Sequence, residues 1–356
     1  MVLRASWPSS PGADASRDAE DLEPSIDEGT SVTPADVITP ASIGAPLRPR
    51  TKLHKLRRHL PAYLMVAPTV LLFIVFLAFP LMSVLFTSLL DWNGIVGVRD
   101  ARWIGLDNYR RLVDDATWWR AVRNSALFTL TQLVVETPLA LALALLLNSP
   151  RRAAAVVRTI GFLPAVASTA VVALAFSLFF SPLGGPANTL LVEKVGLLDR
   201  PLAFLGERGY AFWTVTGVAV WQNLGLDVVL FLAALQAVDR DLLDAAAVDG
   251  ANAWRRLWAV TLPAIRPVAA VIVLLTLAFS LQVYDIFAVM TGGGPGNSSI
   301  TMSLYMVRYT TLGAGAAAVT VPAVGYGSAI AVAMGTIIAV AVLFWQQVVR
   351  RERGRA

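Results

Sequence analysis

Trp221, Gln222 and Asn223 stand in the middle of a long apolar run, where an aromatic ring and two amides are out of place unless they meet something polar. A ring that stacks, beside amides that both donate and accept, is what a polyhydroxylated ligand requires. In a later run Thr276, Ser280, Tyr284 and Asp285 recur at helical spacing, so a helix there would carry them on one face. Gln132, Glu136, Ser168, Thr169, Asp227 and Gln282 are further polar residues inside such runs. The alternative for each is a hydrogen bond between helices or a position at the membrane interface.

Catalytic chemistry is hard to build from the rest. The chain has no cysteine, which excludes disulfides, thiolate metal sites and cysteine nucleophiles. His54 and His59 are its only histidines, and no further metal ligands stand near them. No G-x-x-x-x-G-K-[ST] occurs, and the lysines are limited to Lys52, Lys55 and Lys194. Thr291–Ser299 reads TGGGPGNSS, but it lacks the lysine of a phosphate cradle and follows no strand; it reads as a glycine-rich helix terminator. There is no G-x-S-x-G elbow. The expectation is a chain that is not an enzyme and binds no metal or cofactor itself.

The elements that position these residues follow from composition. Of 356 residues, 56% are hydrophobic and 15% charged, too few polar groups to cover a soluble protein of this length. The apolar residues come in blocks, and a helix needs roughly 20 residues to cross the hydrocarbon. Six runs qualify, at about 61–89, 121–147, 159–181, 211–237, 264–290 and 325–348, so the fold class is an all-α membrane protein with six transmembrane helices. Pro68, Pro80 and Pro138 lie inside runs, which membrane helices tolerate.

Charge sets the direction. Residues 1–50 are rich in Ser, Pro, Asp and Ala and read as a disordered cytoplasmic tail. Residues 51–60 form a basic segment before the 61–350 transmembrane domain, and with Arg48 and Arg50 they act as a topogenic signal rather than a nucleic-acid patch. With both termini inside, the inner segments hold seventeen Lys and Arg against eight outside. The outer segment at 90–119 reads as an interfacial aromatic belt (Trp92, Trp103, Tyr109, Trp118, Trp119), and 182–210 as a short surface helix between turns.

One inner segment, 238–265, is unusually regular. Asp239 or Asp241 caps a short helix running to about Asp249, with Leu242, Ala245, Ala246 and Asp249 on one side. Gly250 provides a turn at positive φ, and Ala251 to Val260 form a second short helix presenting Trp254, Leu257 and Trp258. Leu262-Pro263 is expected to stop that helix and lead into the fifth span. An ordinary connector on the membrane surface is the other reading of this pattern.

The segment resembles the coupling motif of ABC-importer permeases, E-A-A-x3-G-x9-I-x-L-P, through Asp244, Ala245, Ala246, Gly250, Val260, Leu262 and Pro263. Asp244 replaces the usual Glu and Val260 the usual Ile. Tyr284 to Tyr309, with its TGGGP, together with PANTLL and WIGLDNYRRL, is similar to the carbohydrate-uptake type, the maltose, lactose and glycerol-3-phosphate importer permeases. The likeness spans roughly residues 55–350.

That resemblance implies a type I importer fold, with the coupling loop between helices 4 and 5 docked on a separate ATP-binding subunit through Asp244, Ala245, Ala246, Asp249, Gly250, Ala251, Leu262 and Pro263. It implies a second homologous permease, a dimer of ATPases that hold the ATP and Mg, an extracytoplasmic solute-binding protein, and a bacterial inner membrane. Trp221, Gln222, Asn223, Thr276, Ser280, Tyr284 and Asp285 would then line the path of a sugar or sugar-like solute. An importer for a phosphodiester or a peptide stays open, as does a secondary transporter, which would need no coupling loop.

Overall fold

The computed structural model describes residues 64–149, 152–196, 199–311 and 322–353. The tail at 1–50 and the basic segment at 51–60 lie outside the described residues. Among the described residues five helices are long and apolar enough to cross a membrane: α1 (Leu64–Thr87), α3 (Ala116–Leu147), α6 (Arg208–Gln236), the run Ala253–Met290, and α12 (Val324–Arg353). A sixth span is made by α4 (Arg152–Val166) and α5 (Thr169–Phe179), which meet at 96°. Between the spans lie α2 (Asp107–Asp114), α7 (Arg240–Val248) and α11 (Met302–Thr310), while α10 (Asp285–Met290) ends the run Ala253–Met290. A two-residue ribbon, Leu90–Asp91 against Arg102–Trp103, is the one sheet among the described residues.

Two expected spans differ from the continuous helices predicted for them. The third, read as one helix over 159–181, breaks at Ala167 and Ser168, where Ser168 is extended (ψ 128°) and begins α5. Pro164 sits inside α4 and removes one rung of the ladder just before the break. The fifth, read as 264–290, starts earlier, with α8 (Ala253–Arg256), and its long segment α9 (Leu262–Ser280) ends before α10. Pro263 therefore does not stop the helix as expected.

Prolines explain a recurring local feature. Of the four π-helical turns among the described residues, three, at Ile74–Ala78, Gln132–Glu136 and Leu257–Thr261, each end two residues before a proline: Pro80, Pro138 and Pro263. In each, an N–H reaches back five residues: Phe79 to Ile74, Thr137 to Gln132, Leu262 to Leu257. A proline in mid-helix clashes with the carbonyl four residues back, and the wider turn takes up that clash.

Two apolar clusters hold the bundle. One gathers Phe128, Phe212, Phe287, Ile300, Tyr305, Tyr326 and their neighbours, with the Phe287 ring edge-on to Phe128 at 5.6 Å and stacked on Phe212 at 5.7 Å. The other packs Ala140 and Ala144 of α3 on Val228, Phe231, Leu232 and Leu235 of α6 and Ile265 and Ile272 of α9. Trp118, expected in the interfacial belt, is buried in the first cluster, while Trp103 and Trp119 are exposed.

Three irregular segments are each pinned by a buried asparagine amide. Asn108 donates to the carbonyls of Ser88 and Leu90, Asn124 to those of Ser298 and Ile300, and Asn188 to those of Ser181 and Leu202. Buried carbonyls in irregular chain need such donors. The TGGGPGNSS stretch is the helix terminator expected, with Gly292, Gly293 and Gly296 all at positive φ after α10.

Candidate functional site

Along α3, α6 and α9 the same order of residues recurs: one apolar cluster, a polar layer, the other apolar cluster. On α3, Phe128 is followed by Gln132 and Glu136 and then Ala140; on α6, Ala219 by Gln222 and Asp227 and then Phe231. On α9 the order runs from Ile272 through Thr276 and Ser280, and Leu281 follows in the opposite cluster. Between the clusters lies a cavity of about 570 Å³, lined by Gln132, Glu136, Gln222, Asn223, Asp227, Thr276, Ser280, Gln282, Tyr284 and Asp285 with apolar neighbours that include Phe128 and Phe279.

The π turn accounts for the α3 contribution. Gln132 and Glu136 bracket it, and both are 2% exposed. The residue types alone make these two polar groups in a lipid-spanning helix; Pro138, two positions on, is the sequence feature that marks where the helix widens. The Thr137 hydroxyl donates to the Gln132 carbonyl at 3.1 Å and satisfies a backbone group at the turn.

Gln222 ties the cavity to the broken span. Its amide donates to the Thr169 hydroxyl at 3.2 Å and to the Ala167 carbonyl at 3.4 Å, at the two sides of the 96° bend. The break leaves carbonyls without intrahelical partners, and a side chain from α6 meets one of them. Ser280 donates to the Thr129 hydroxyl at 2.9 Å and so joins α9 to α3. Thr276 is bound to its own helix at the Ile272 carbonyl, 3.0 Å away.

Of the seven residues expected along a solute path, six line this cavity and one does not. Trp221 is half-exposed, and its ring packs edge-on to Phe176 at 5.2 Å, on another side of α6. Two positions along a helix turn by about 200°, so Trp221 and Asn223 point to nearly opposite sides, and it is Asn223 that takes the cavity side. Thr276, Ser280, Tyr284 and Asp285 do meet the same space, though not along one helix face: α9 ends at Ser280 and the chain turns before Asp285 starts α10. Gln132, Glu136 and Asp227 complete the lining; they were legible as polar residues in apolar runs, but nothing local joined them to one another.

The elbow at 238–265 has the local geometry its sequence dictates. Asp239 caps α7 by accepting the Asp241 N–H at 3.0 Å. Gly250 has φ +79°, and the Gly250 and Ala251 N–H groups bond back to the Ala247 and Ala246 carbonyls at 3.1 and 3.0 Å. That pair of bonds is a Schellman closure, which needs a left-handed residue where Gly250 stands. Asn252 caps α8 at the Arg255 N–H, 2.8 Å away. Asp244, Ala245, Asp249, Gly250 and Pro263 are exposed, and Ala246, Ala251 and Leu262 are half-buried. Val248 is 89% exposed, and the rings of Trp254 and Trp258, both exposed, meet at 5.7 Å.

The described residues contain no group of three or more His, Asp or Glu able to hold a metal ion. The model for the family described as binding-protein-dependent transport system inner membrane component matches residues 136–354. The lactose transport system permease protein LacF of Rhizobium radiobacter is 33% identical over 251 residues, 70% of this chain and 82% of that protein. The trehalose transport system permease protein SugA of Mycobacterium tuberculosis is 32% identical over 284 residues, 80% of this chain and 87% of its own. Among solved structures, a bacterial ABC transporter involved in the import of the acidic polysaccharide alginate superposes with a TM-score of 0.71 at 25% identity, covering 84% of this chain and 98% of that one. The spans are thus those of a multi-pass permease, and the chain belongs to the family of binding-protein-dependent transport system inner membrane components.

Proposed function

We propose that this chain forms half of the translocation path of an ATP-driven importer for a sugar or sugar-like solute, in the inner membrane of a bacterium. The observation that supports this most is the polar cavity between two apolar clusters, with Asn223, Thr276, Ser280 and Tyr284 supplying amide and hydroxyl groups to a solute rich in hydroxyls. The names of the relatives support the solute class: lactose for one, trehalose for another, alginate for the solved importer.

In this reading a second, homologous permease supplies the other half of the path, and an external binding protein delivers the solute; a related alginate transporter was solved in complex with a periplasmic protein bound to an alginate pentasaccharide. ATP and Mg are held by a separate pair of ATPase subunits, so the permease itself catalyses nothing. Both termini are cytoplasmic, and residues 238–265 face the ATPase. Exposed Val248, Trp254 and Trp258 provide apolar contact area, and Asp244 to Gly250 the rigid elbow. ATP closes the ATPase pair and carries the elbow with it, which moves the spans between inward- and outward-open states. ATP must bind the two states differently for this to work, since a ligand shifts an equilibrium only by its differential affinity.

The test is purification of the tagged chain from its native membrane, followed by ATPase assays with candidate sugars. Co-purification of an ATPase whose turnover rises with a saccharide is the expected result. Recovery of the folded permease with no ATPase partner would sink the importer reading.

A further inference from the structure

The cavity carries more negative chemistry than a neutral sugar uses. Glu136, Asp227 and Asp285 all line it, and none of its described lining residues is Lys, Arg or His. Glu136 and Asp227 are 2% and 8% exposed. One buried oxygen on each of them, and the buried Oε1 of Gln132, accepts no hydrogen bond from the described residues. Acceptors withdrawn from water in this way are costly unless donors meet them, and carboxylates most of all. A buried pair of acids keeps its charge only beside a cation and otherwise takes up protons, and an anionic saccharide would be repelled by the charged form. An ammonium group offers three donors and a positive charge in one small head.

Building on the importer reading above, we propose that the solute passing this cavity bears an ammonium group beside its hydroxyls, as in an amino sugar or an amino-substituted polyol. Glu136, Asp227 and the Gln132 Oε1 hold the ammonium; Asn223 and Ser280 face the hydroxyls. The relatives named for lactose and for alginate bear the names of a neutral and of an acidic saccharide, so this assignment separates the chain from both.

The experiment measures direct binding to the membrane-embedded complex of permeases and ATPases, without the external binding protein, whose own selectivity would otherwise dominate. The probes are chitosan disaccharide, cellobiose, digalacturonate and spermidine, in mildly acidic buffer where the amines carry protons. Chitosan disaccharide is expected to bind at least about tenfold tighter than cellobiose. In a Glu136→Gln, Asp227→Asn complex that preference is expected to shrink to about twofold or less, with cellobiose binding little changed. Should the double variant fail to assemble, the isosteric Glu136→Gln alone is expected to lose several-fold of the preference. Equal or tighter binding of cellobiose or digalacturonate by the wild type would overturn the ammonium assignment and leave the sugar reading standing. Binding of spermidine with neither disaccharide would overturn the sugar reading and this proposal with it, as would binding of none of the four.

Discussion

Gly225 on α6 lies against Gly161 on α4 so closely that a β-carbon on Gly225 would run into the Gly161 carbonyl oxygen. A β-carbon on Gly161 would meet nothing within 4 Å. The contact is therefore one-sided. Close approach of two helix backbones through small residues is how membrane helices gain packing without a hydrophobic drive. The clash falls on backbone, which cannot rotate away, so Gly225→Ala is expected to cost at least the ~1–3 kcal/mol of an overpacked core. Gly161→Ala is expected to be close to neutral. Thermal stability of the two variants in detergent checks the asymmetry; equal loss in both would contradict it.

Gly250 offers a different contrast, because a β-carbon there meets no neighbour and the cost is all in φ +79°. Left-handed backbone costs an L-residue about 1–2 kcal/mol, less for Asn, and more for a β-branched side chain. Sugar-stimulated ATP hydrolysis is expected to fall in the order Gly, Asn, Ala, Val at position 250, with Val near the basal rate. Insertion into the membrane should be unaffected, since the elbow carries no buried side chain in α7. Stimulated turnover as high in Gly250→Val as in the wild type would remove the elbow from the coupling path.

Why was the elbow legible and the cavity only partly so? Every determinant of the elbow is local: Asp239 caps its own helix, Gly250 sits one residue past the α7 C-cap, and Asn252 caps the next. The cavity depends on which side of α6 faces α3 and α9, and no residue of α6 encodes that alone. Trp221 and Gln222 are equally polar exceptions in their run, yet one packs on Phe176 and the other reaches across to Thr169. The 96° bend likewise needs Gln222, which lies 53 residues beyond Thr169. Pro263 misled because a proline in a helical pattern ordinarily ends it, whereas here a π turn absorbs it.

The same contrast gives a functional test. Asn223 lines the cavity and Trp221 does not, so Asn223→Ala is expected to raise the apparent KM for solute several-fold while Trp221→Ala leaves it within about twofold. Trp221→Ala should instead lower thermal stability, through the lost ring contact with Phe176. Uptake kinetics on matched expression levels separate the two effects. A large KM change in Trp221→Ala with stability intact would return that ring to the solute path.

One end of the bundle is fastened at Asp115, and its strength depends on pH. Asp115 accepts the Thr117 N–H at 2.8 Å and the Trp118 N–H at 3.4 Å, which caps α3, and it also accepts the hydroxyls of Tyr305 and, at 2.8 Å, Tyr326. Burial pushes this carboxyl up, but the two hydroxyls and the two N–H groups together hold it below its ordinary value of 3.8. A carboxyl depressed in the folded state contributes stability that is present above the ordinary value and lost as pH falls through the depressed one. No change is therefore expected between neutral pH and about 4, and loosening only in stronger acid. With Tyr305→Phe and Tyr326→Phe together, the two largest lowering influences are gone, so the carboxyl rises and the loosening moves to higher pH. Fluorescence of the tryptophans, Trp118 among them at 4% exposure in the adjoining core, is expected to report the transition in both proteins. An acid midpoint that does not move in the double variant would show that the tyrosines do not hold the charge.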